Sequence, residues 1–211
     1  MPDIDPTQLT EQDVYKLMSG AIVPRPIAWV STVDASGQPN LAPFSFFNAV
    51  CSNPPTVLFC TSIRKADVQP KDTYHNIVAT GEFVINFVSE PLAEAMNITA
   101  VEAPAHVNEF ERAGLTAAPS LRVRPPYVTE SLIQFECVLR EIITVGEDIG
   151  GGHVILGTIV HMRFDDAVLG PNYYVLLDAL RPVGRLAGPN YTRVTDTFAL
   201  NRPASEINKT E

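Results

Sequence analysis

Proline limits the architecture of this chain more than any other residue type. Eighteen prolines are spread through 211 residues, and the pairs Pro24/Pro26, Pro54/Pro55 and Pro125/Pro126 each stand between apolar runs. Proline lacks the amide that a central strand must donate, so these pairs mark strand ends and loops. The apolar runs around them read as short strands at Ile27 to Val33, Asn40 to Ala42, Val57 to Ser62 and Phe83 to Val88. The turn "DASGQ" joins the first two as a hairpin. Further on, Phe135, Cys137 and Leu139 alternate with Gln134, Glu136 and Arg140, and the segment from Val154 to Phe164 alternates in the same way. That period predicts two half-buried antiparallel strands on either side of the glycine-rich loop "VGEDIGGGH".

Helices are few and short. Thr10 caps one that carries Val14, Leu17 and Met18 and ends at Gly20. A second starts at Asp72 or Thr73, with Asp72 as its cap, and closes at Gly81. A third runs from Ser89 or Glu90 to Met96, and "HVNEFERAGL" is a shorter fourth. Strands without regular strand-helix alternation predict an antiparallel barrel decorated by helices, and no G-x-G-x-x-G is present to argue for a doubly wound sheet. No repeat or compositional break divides the chain, so residues 1–211 read as a single domain.

A formal net charge of −9 argues against nucleic acid or an anionic membrane surface as partner, because both repel an acidic protein at long range. No apolar run approaches the roughly 20 residues of a bilayer span, and "MPDIDPTQLTEQDVYK" lacks the pattern of a secretory signal, so a cytoplasmic location is expected. Cys51, Cys60 and Cys137 are odd in number and widely spaced, which fits buried small hydrophobes better than a disulfide framework. The N-x-T triplets at Asn97, Asn190 and Asn208 are then chance matches. An anionic ligand needs a local basic spot, and "SIRKADVQPKDT" supplies Arg64, Lys65 and Lys71 among small polar residues. The stretch "PRPIAWVSTVDASGQPNLAPFSFFN" carries no nucleophile with its base, no metal ligands and no phosphate loop. Chemistry there must come from a cofactor.

Taken in order, "VPRPIAWVSTVDASGQPNLAPFSFFNAVCSNPPTVLF", "KDTYHNI", "GEFVINFV", "EFERAGLTAAPS", "ECVL" and "RPVGRLAGPNYTR" resemble the flavin reductase-like family, with its flavoredoxin-like members, over a core of about residues 15–195. The resemblance implies a mainly β fold, an FMN-binding split antiparallel β-barrel of Greek-key type with a few short helices. It also implies a homodimer with FMN near the subunit boundary. Carried over motif by motif, it assigns ring and ribityl contacts to Phe44, Ser45, Phe46 and Asn48, and phosphate contacts to Ser62, Arg64, Lys71 and Thr73. Arg185 and Tyr191 fall near the cofactor. His153 resembles the histidine of a G-D-H step beside the nicotinamide site in shorter flavin reductases and becomes the catalytic candidate, although Gly152 stands where those have aspartate. No metal site is expected.

Read from residue chemistry alone, Phe44, Phe46 and Phe47 fit a core as well as a flavin wall, and Arg64 and Lys71 fit solvated surface charges. Trp29 reads as core, and Arg25 as either an interface residue or a flavin neighbour. A flavin ring needs one apolar wall and polar groups along its edges, and "APFSFFN" offers both. The functional expectation is an FMN-binding oxidoreductase, an NAD(P)H-dependent flavin reductase passing electrons to free flavin or another acceptor, with NADH or NADPH as co-substrate. The alternative is an FMN-holding electron carrier without productive NAD(P)H turnover. A monooxygenase or other electron-acceptor protein is the expected partner class.

Overall fold

A computed structural model describes residues 1–203 of the chain; the Asn208 triplet lies outside them. Helix α1 (Glu11–Ala21) starts where the Thr10 hydroxyl accepts the Asp13 amide and donates to the Asp13 carboxylate, and it runs through Gly20 to end one residue beyond the expected stop. Strands β1 (Ala28–Val33), β2 (Pro39–Phe44), β3 (Phe47–Ser52) and β4 (Pro55–Ser62) follow, then α2 (Asp72–Thr80) and β5 (Glu82–Phe87). Next come α3 (Ala93–Ile98), α4 (Glu109–Arg112) and the two-residue strands β6 (Ala117–Ala118) and β7 (Tyr127–Val128). The long hairpin β8 (Ile133–Gly146) and β9 (Gly152–Phe164), helix α5 (Leu177–Leu180) and the hairpin β10 (Val183–Arg185) and β11 (Tyr191–Arg193) complete the described chain.

Seven strands form one antiparallel sheet in the order β2, β1, β5, β8, β9, β4, β3. Its two edge strands are consecutive in the chain. β2 runs into β3 through Ser45 and Phe46, so the two edges of the sheet meet at this corner, where the Phe46 carbonyl accepts the Cys60 amide of β4 at 2.8 Å and extends the β3–β4 ladder. The connection from β4 to β5 passes over the barrel end by way of α2, which makes the path Greek-key rather than up-and-down. The result is a mainly β split barrel with few, short helices.

β1 is buried along its whole length because both of its faces meet a core. Ala28 and Val30 point into the barrel with Phe44, Val57, Phe59, Phe83, Ile85 and Ile155. Trp29 points outward into a second cluster with Leu41, Met96 and Phe110, where its indole N–H donates to Thr99 Oγ1 at 2.9 Å. Packing inside the barrel is tight enough to require glycine at 157, where a Cβ would lie 2.3 Å from Phe83 Cζ.

Four expectations change. Gln134 and Glu136 are buried, not solvent-facing, because the chain between β6 and β7 folds over that side of β8. There the Glu136 carboxylate accepts the Leu121 amide at 2.9 Å and the Arg122 amide at 2.6 Å, and Gln134 donates to the Val128 carbonyl at 3.2 Å. The segment after Phe46 forms strand β3, where a strand pattern was not evident, and that strand is largely exposed. Cys51 lies on it and is exposed, while Cys60 is half-buried and Cys137 buried. Finally, Lys71 and not Asp72 is the N-cap of α2; Gly81 closes this helix as expected, in the left-handed conformation with its amide on the Ile77 carbonyl at 2.8 Å. Among the described residues no helix is long and apolar enough to cross a membrane.

Candidate functional site

The basic stretch of the sequence becomes a turn between β4 and α2. Ile63 is buried and anchors the turn, while Arg64 N donates to the Gln69 carbonyl at 2.8 Å and Val68 N to the Arg64 carbonyl at 3.1 Å. The turn delivers Arg64 and Lys71 to the N-terminal end of α2, and with Thr73 they line one cavity of about 50 Å³. Asn40, Ala42 and Pro43 of β2 form the facing wall, and the segment Thr99–Ala103 with Glu109 forms the third side. Thr73 is buried, and its hydroxyl oxygen accepts from Asn40 Nδ2 at 3.0 Å. The Lys71 side chain makes no capping bond to the first turn of α2.

Each cation in the cleft has a carboxylate partner. Arg64 makes a two-pronged contact with Asp67, at 2.7 and 3.1 Å, and reaches Asp72 at 3.1 Å. The side-chain bonds to Asp67 raise the Arg64 pKa, against burial, which lowers it. Lys71 Nζ lies 3.5 Å from Glu102 Oε1. Glu109 is buried on the same wall, and its Oε2 accepts the Leu41 amide at 3.1 Å. Burial pushes the Glu109 carboxyl up from its ordinary value, the Leu41 amide opposes this, and the Asp72 charge adds to the rise.

A carboxyl whose pKa is raised by folding favours the folded state below its unfolded value, about 4.3, and that advantage is lost as pH rises through the folded value. Glu109→Gln keeps an acceptor for the Leu41 amide and removes the charge. We therefore expect it to raise the melting temperature at pH 7 to 8, with the gain fading toward pH 4. Thermal melts of both proteins across this range check the sign.

A second group of residues gathers at the corner between β2 and β3. Phe44 is buried, with its ring 5.1 Å from that of Phe59, so only its backbone faces the corner. Ser45 is half-buried, and Phe46 and Asn48 are exposed. Arg25 ties the corner down: Nε donates to Ser45 Oγ at 3.3 Å, Nη1 to the Ser19 and Ile22 carbonyls at 2.6 and 2.8 Å, and Nη2 to the Leu186 carbonyl at 3.1 Å. The Arg25 backbone exchanges hydrogen bonds with Arg185, at 3.0 and 2.8 Å. The Arg185 guanidinium in turn lies 4.6 Å from the centre of the Tyr191 ring. Corner and cleft are neighbours on one strand, since five residues at about 3.3 Å each place Asn40 roughly 16 Å from Ser45.

The structure thus brings Arg64, Lys71 and Thr73 together in the cleft, and Ser45, Phe46, Asn48, Arg185 and Tyr191 around the corner. Ser62 is exposed at the end of β4 and does not line the cleft. His153 stands apart from both groups. It is 4% exposed inside the barrel end, paired across the sheet with Thr61, its ring 4.0 Å from that of Tyr74. Its Nδ1 and the Thr61 hydroxyl are buried without hydrogen-bond partners. Burial lowers the pKa of His153, and the Glu147 charge opposes this. Sequence reasoning missed Asn40, Glu102 and Glu109 on the cleft; only the Asn40 position, on a strand next to a turn, carried any signal.

The cleft gathers two cationic donors, a hydroxyl and the N-terminal end of a nine-residue helix that has no side-chain cap, together with the carboxylates of Asp72, Glu102 and Glu109. Residues 18–182 match the model of the flavin reductase like domain. An uncharacterized protein of Aquifex aeolicus is 44% identical over 85% of this chain and 89% of its own. Among solved structures, nitrilotriacetate monooxygenase component B from Bacillus cereus is 38% identical with a TM-score of 0.89, over 95% of this chain and 98% of the other. A 2-nitrobenzoate 2-nitroreductase from Pseudomonas fluorescens is 33% identical with a TM-score of 0.86, over 96% of each chain.

Proposed function

Because this chain belongs to the flavin reductase-like family, we propose that it is an FMN-binding oxidoreductase which draws on NADH or NADPH and delivers electrons to free flavin or another acceptor. FMN, when bound, supplies the hydride and electron transfer, so the chain needs no acid-base pair of its own. The observation that carries this reading is the convergence of Arg64, Lys71 and Thr73 on one small cavity of a chain with net charge −9.

In this reading Arg64 and Lys71 hold the phosphate as charged donors, helped by the Thr73 hydroxyl and the first-turn amides of α2. Ser62, at the exposed end of β4, adds a hydroxyl at the rim. Ser45, Phe46, Asn48 and the backbone of Phe44 present the mixed apolar and polar edge that a flavin ring requires. Arg185 and Tyr191 flank that corner. His153, sealed beneath Tyr74, has no part in the proposal.

The exposed apolar residues Tyr15, Leu17 and Met18 of α1 and Val50 on the edge strand β3 support pairing with a second copy of the chain. Likeness to a monooxygenase component supports a monooxygenase as one partner that consumes the reduced flavin.

The test is spectroscopic. The purified protein mixed with FMN should show a bound flavin spectrum that NADH or NADPH bleaches rapidly without oxygen. Bound flavin that neither nucleotide bleaches would replace this reading with that of an electron carrier, and failure to bind FMN would reject both.

A further inference from the structure

We propose that Glu102 competes with the flavin phosphate for Lys71, so that FMN is held exchangeably and leaves the site as a substrate does. The inference rests on the phosphate reading of the cleft. The two cations there are held differently. Arg64 is fixed by two carboxylates within eight residues of it, Asp67 of its own turn and Asp72 at the start of α2, through contacts of 2.7 to 3.1 Å. Lys71 has one partner from a distant part of the chain, at 3.5 Å. That separation exceeds the roughly 2.7 to 2.9 Å of a tight charge-assisted bond, and the Glu102 side chain is 44% exposed. Lys71 is therefore the donor that can change partner at least cost.

Position makes Glu102 a competitor and not a bystander. It lies on Thr99–Ala103, the irregular segment after α3 that forms one side of the same cavity. Lys71, only 26% exposed, faces that cavity and has no intrahelical bond to give up. When a phosphate occupies the cleft, Lys71 turns to it and the Glu102 carboxylate goes to water, where its exposure makes solvation easy. When the phosphate leaves, Glu102 takes the cation back, so the departing anion does not leave Lys71 unpaired. A carboxylate carries one charge and a phosphate monoester up to about two, so the phosphate wins when present at sufficient concentration. Such an exchange lowers affinity and speeds release, as a protein that hands flavin to an acceptor requires.

The experiment compares FMN with riboflavin, which has the same ring and no phosphate. Glu102→Gln should tighten FMN binding about two- to fivefold, the range expected for loss of one exposed competing ion pair, and should slow FMN dissociation in stopped flow by a similar factor. Riboflavin affinity should not change, and in a Lys71→Ala background the Glu102→Gln change should have no further effect. Equal tightening of riboflavin, or an FMN affinity that Glu102→Gln leaves unchanged while Lys71→Ala weakens it, would overturn the competition and leave the phosphate site standing. If Lys71→Ala also leaves FMN binding unchanged, the phosphate reading itself falls. Glu102 is exposed and folding of the variants is verified by circular dichroism.

Discussion

Replacing Arg64 and Lys71 together by alanine is expected to weaken FMN binding by roughly a hundredfold, with the barrel still folded. Hydrogen bonds to charged groups contribute about 1.5 to 3 kcal/mol each. Both donors already hold carboxylates, so the lower end applies, and two such losses amount to about 3 kcal/mol, or about a hundredfold in affinity. The fold should survive because neither side chain enters a core. Their ion pairs, Arg64 with Asp67 and Asp72 and Lys71 with Glu102, are partly exposed, and such pairs add little to stability. Flavin fluorescence titration reads the affinity and far-ultraviolet circular dichroism the fold. A double variant that binds FMN as tightly as the native chain would remove the phosphate assignment, and with it the placement of the cofactor along β2.

The second large effect is expected at Arg25. Its guanidinium is buried at 4% exposure and donates to three backbone carbonyls and Ser45 Oγ, so it joins the end of α1, the β2–β3 corner and the segment after β10. Arg25→Ala leaves those acceptors without a donor, and loss of several charge-assisted bonds in a buried setting costs on the order of 3 kcal/mol. Arg25→Lys should rescue little, because an ammonium is a point charge and does not have the planar fork that reaches four acceptors at once. In a domain of this size that cost corresponds to a fall in melting temperature of about 6 to 12 °C. FMN affinity should fall as well, through the loosened Ser45. Melting curves for the three proteins decide it, and a lysine variant as stable as the native chain would show that charge alone matters at this position.

These two positions differ in how far their roles could be read in advance. Arg64, Lys71 and Thr73 lie within ten residues of one another, on a turn and a first helical turn, so sequence proximity almost guarantees spatial proximity. Arg25 was open between interface and cofactor neighbour, because its acceptors on Ser45 and Leu186 are 20 and 161 residues away. The reading of Gln134 and Glu136 as solvent-facing failed for a related reason. Alternation reports that a strand has two different faces, but it does not report that another segment covers the polar one. Glu136 is buried because backbone amides 14 and 15 residues earlier return to it. β3 escaped notice because an edge strand at a closing corner is largely exposed, and so loses the buried-exposed contrast that makes a strand visible.

What the sequence by itself determined is local. Proline spacing set the strand ends, Thr10 set the start of α1, Gly81 set the end of α2, and the turn from Arg64 to Thr73 collected the cationic donors. Each depends on bonds spanning a few residues, and those are nearly the same in any fold. The tertiary structure alone decided that the sheet closes at Ser45 and Phe46, that Glu102 and Glu109 come to stand beside the cationic turn, and that His153 is sealed inside the barrel end. Those outcomes depend on which surfaces bury each other across dozens of residues. Burial of that kind follows from the packing of the whole barrel and leaves no trace in any single stretch of chain.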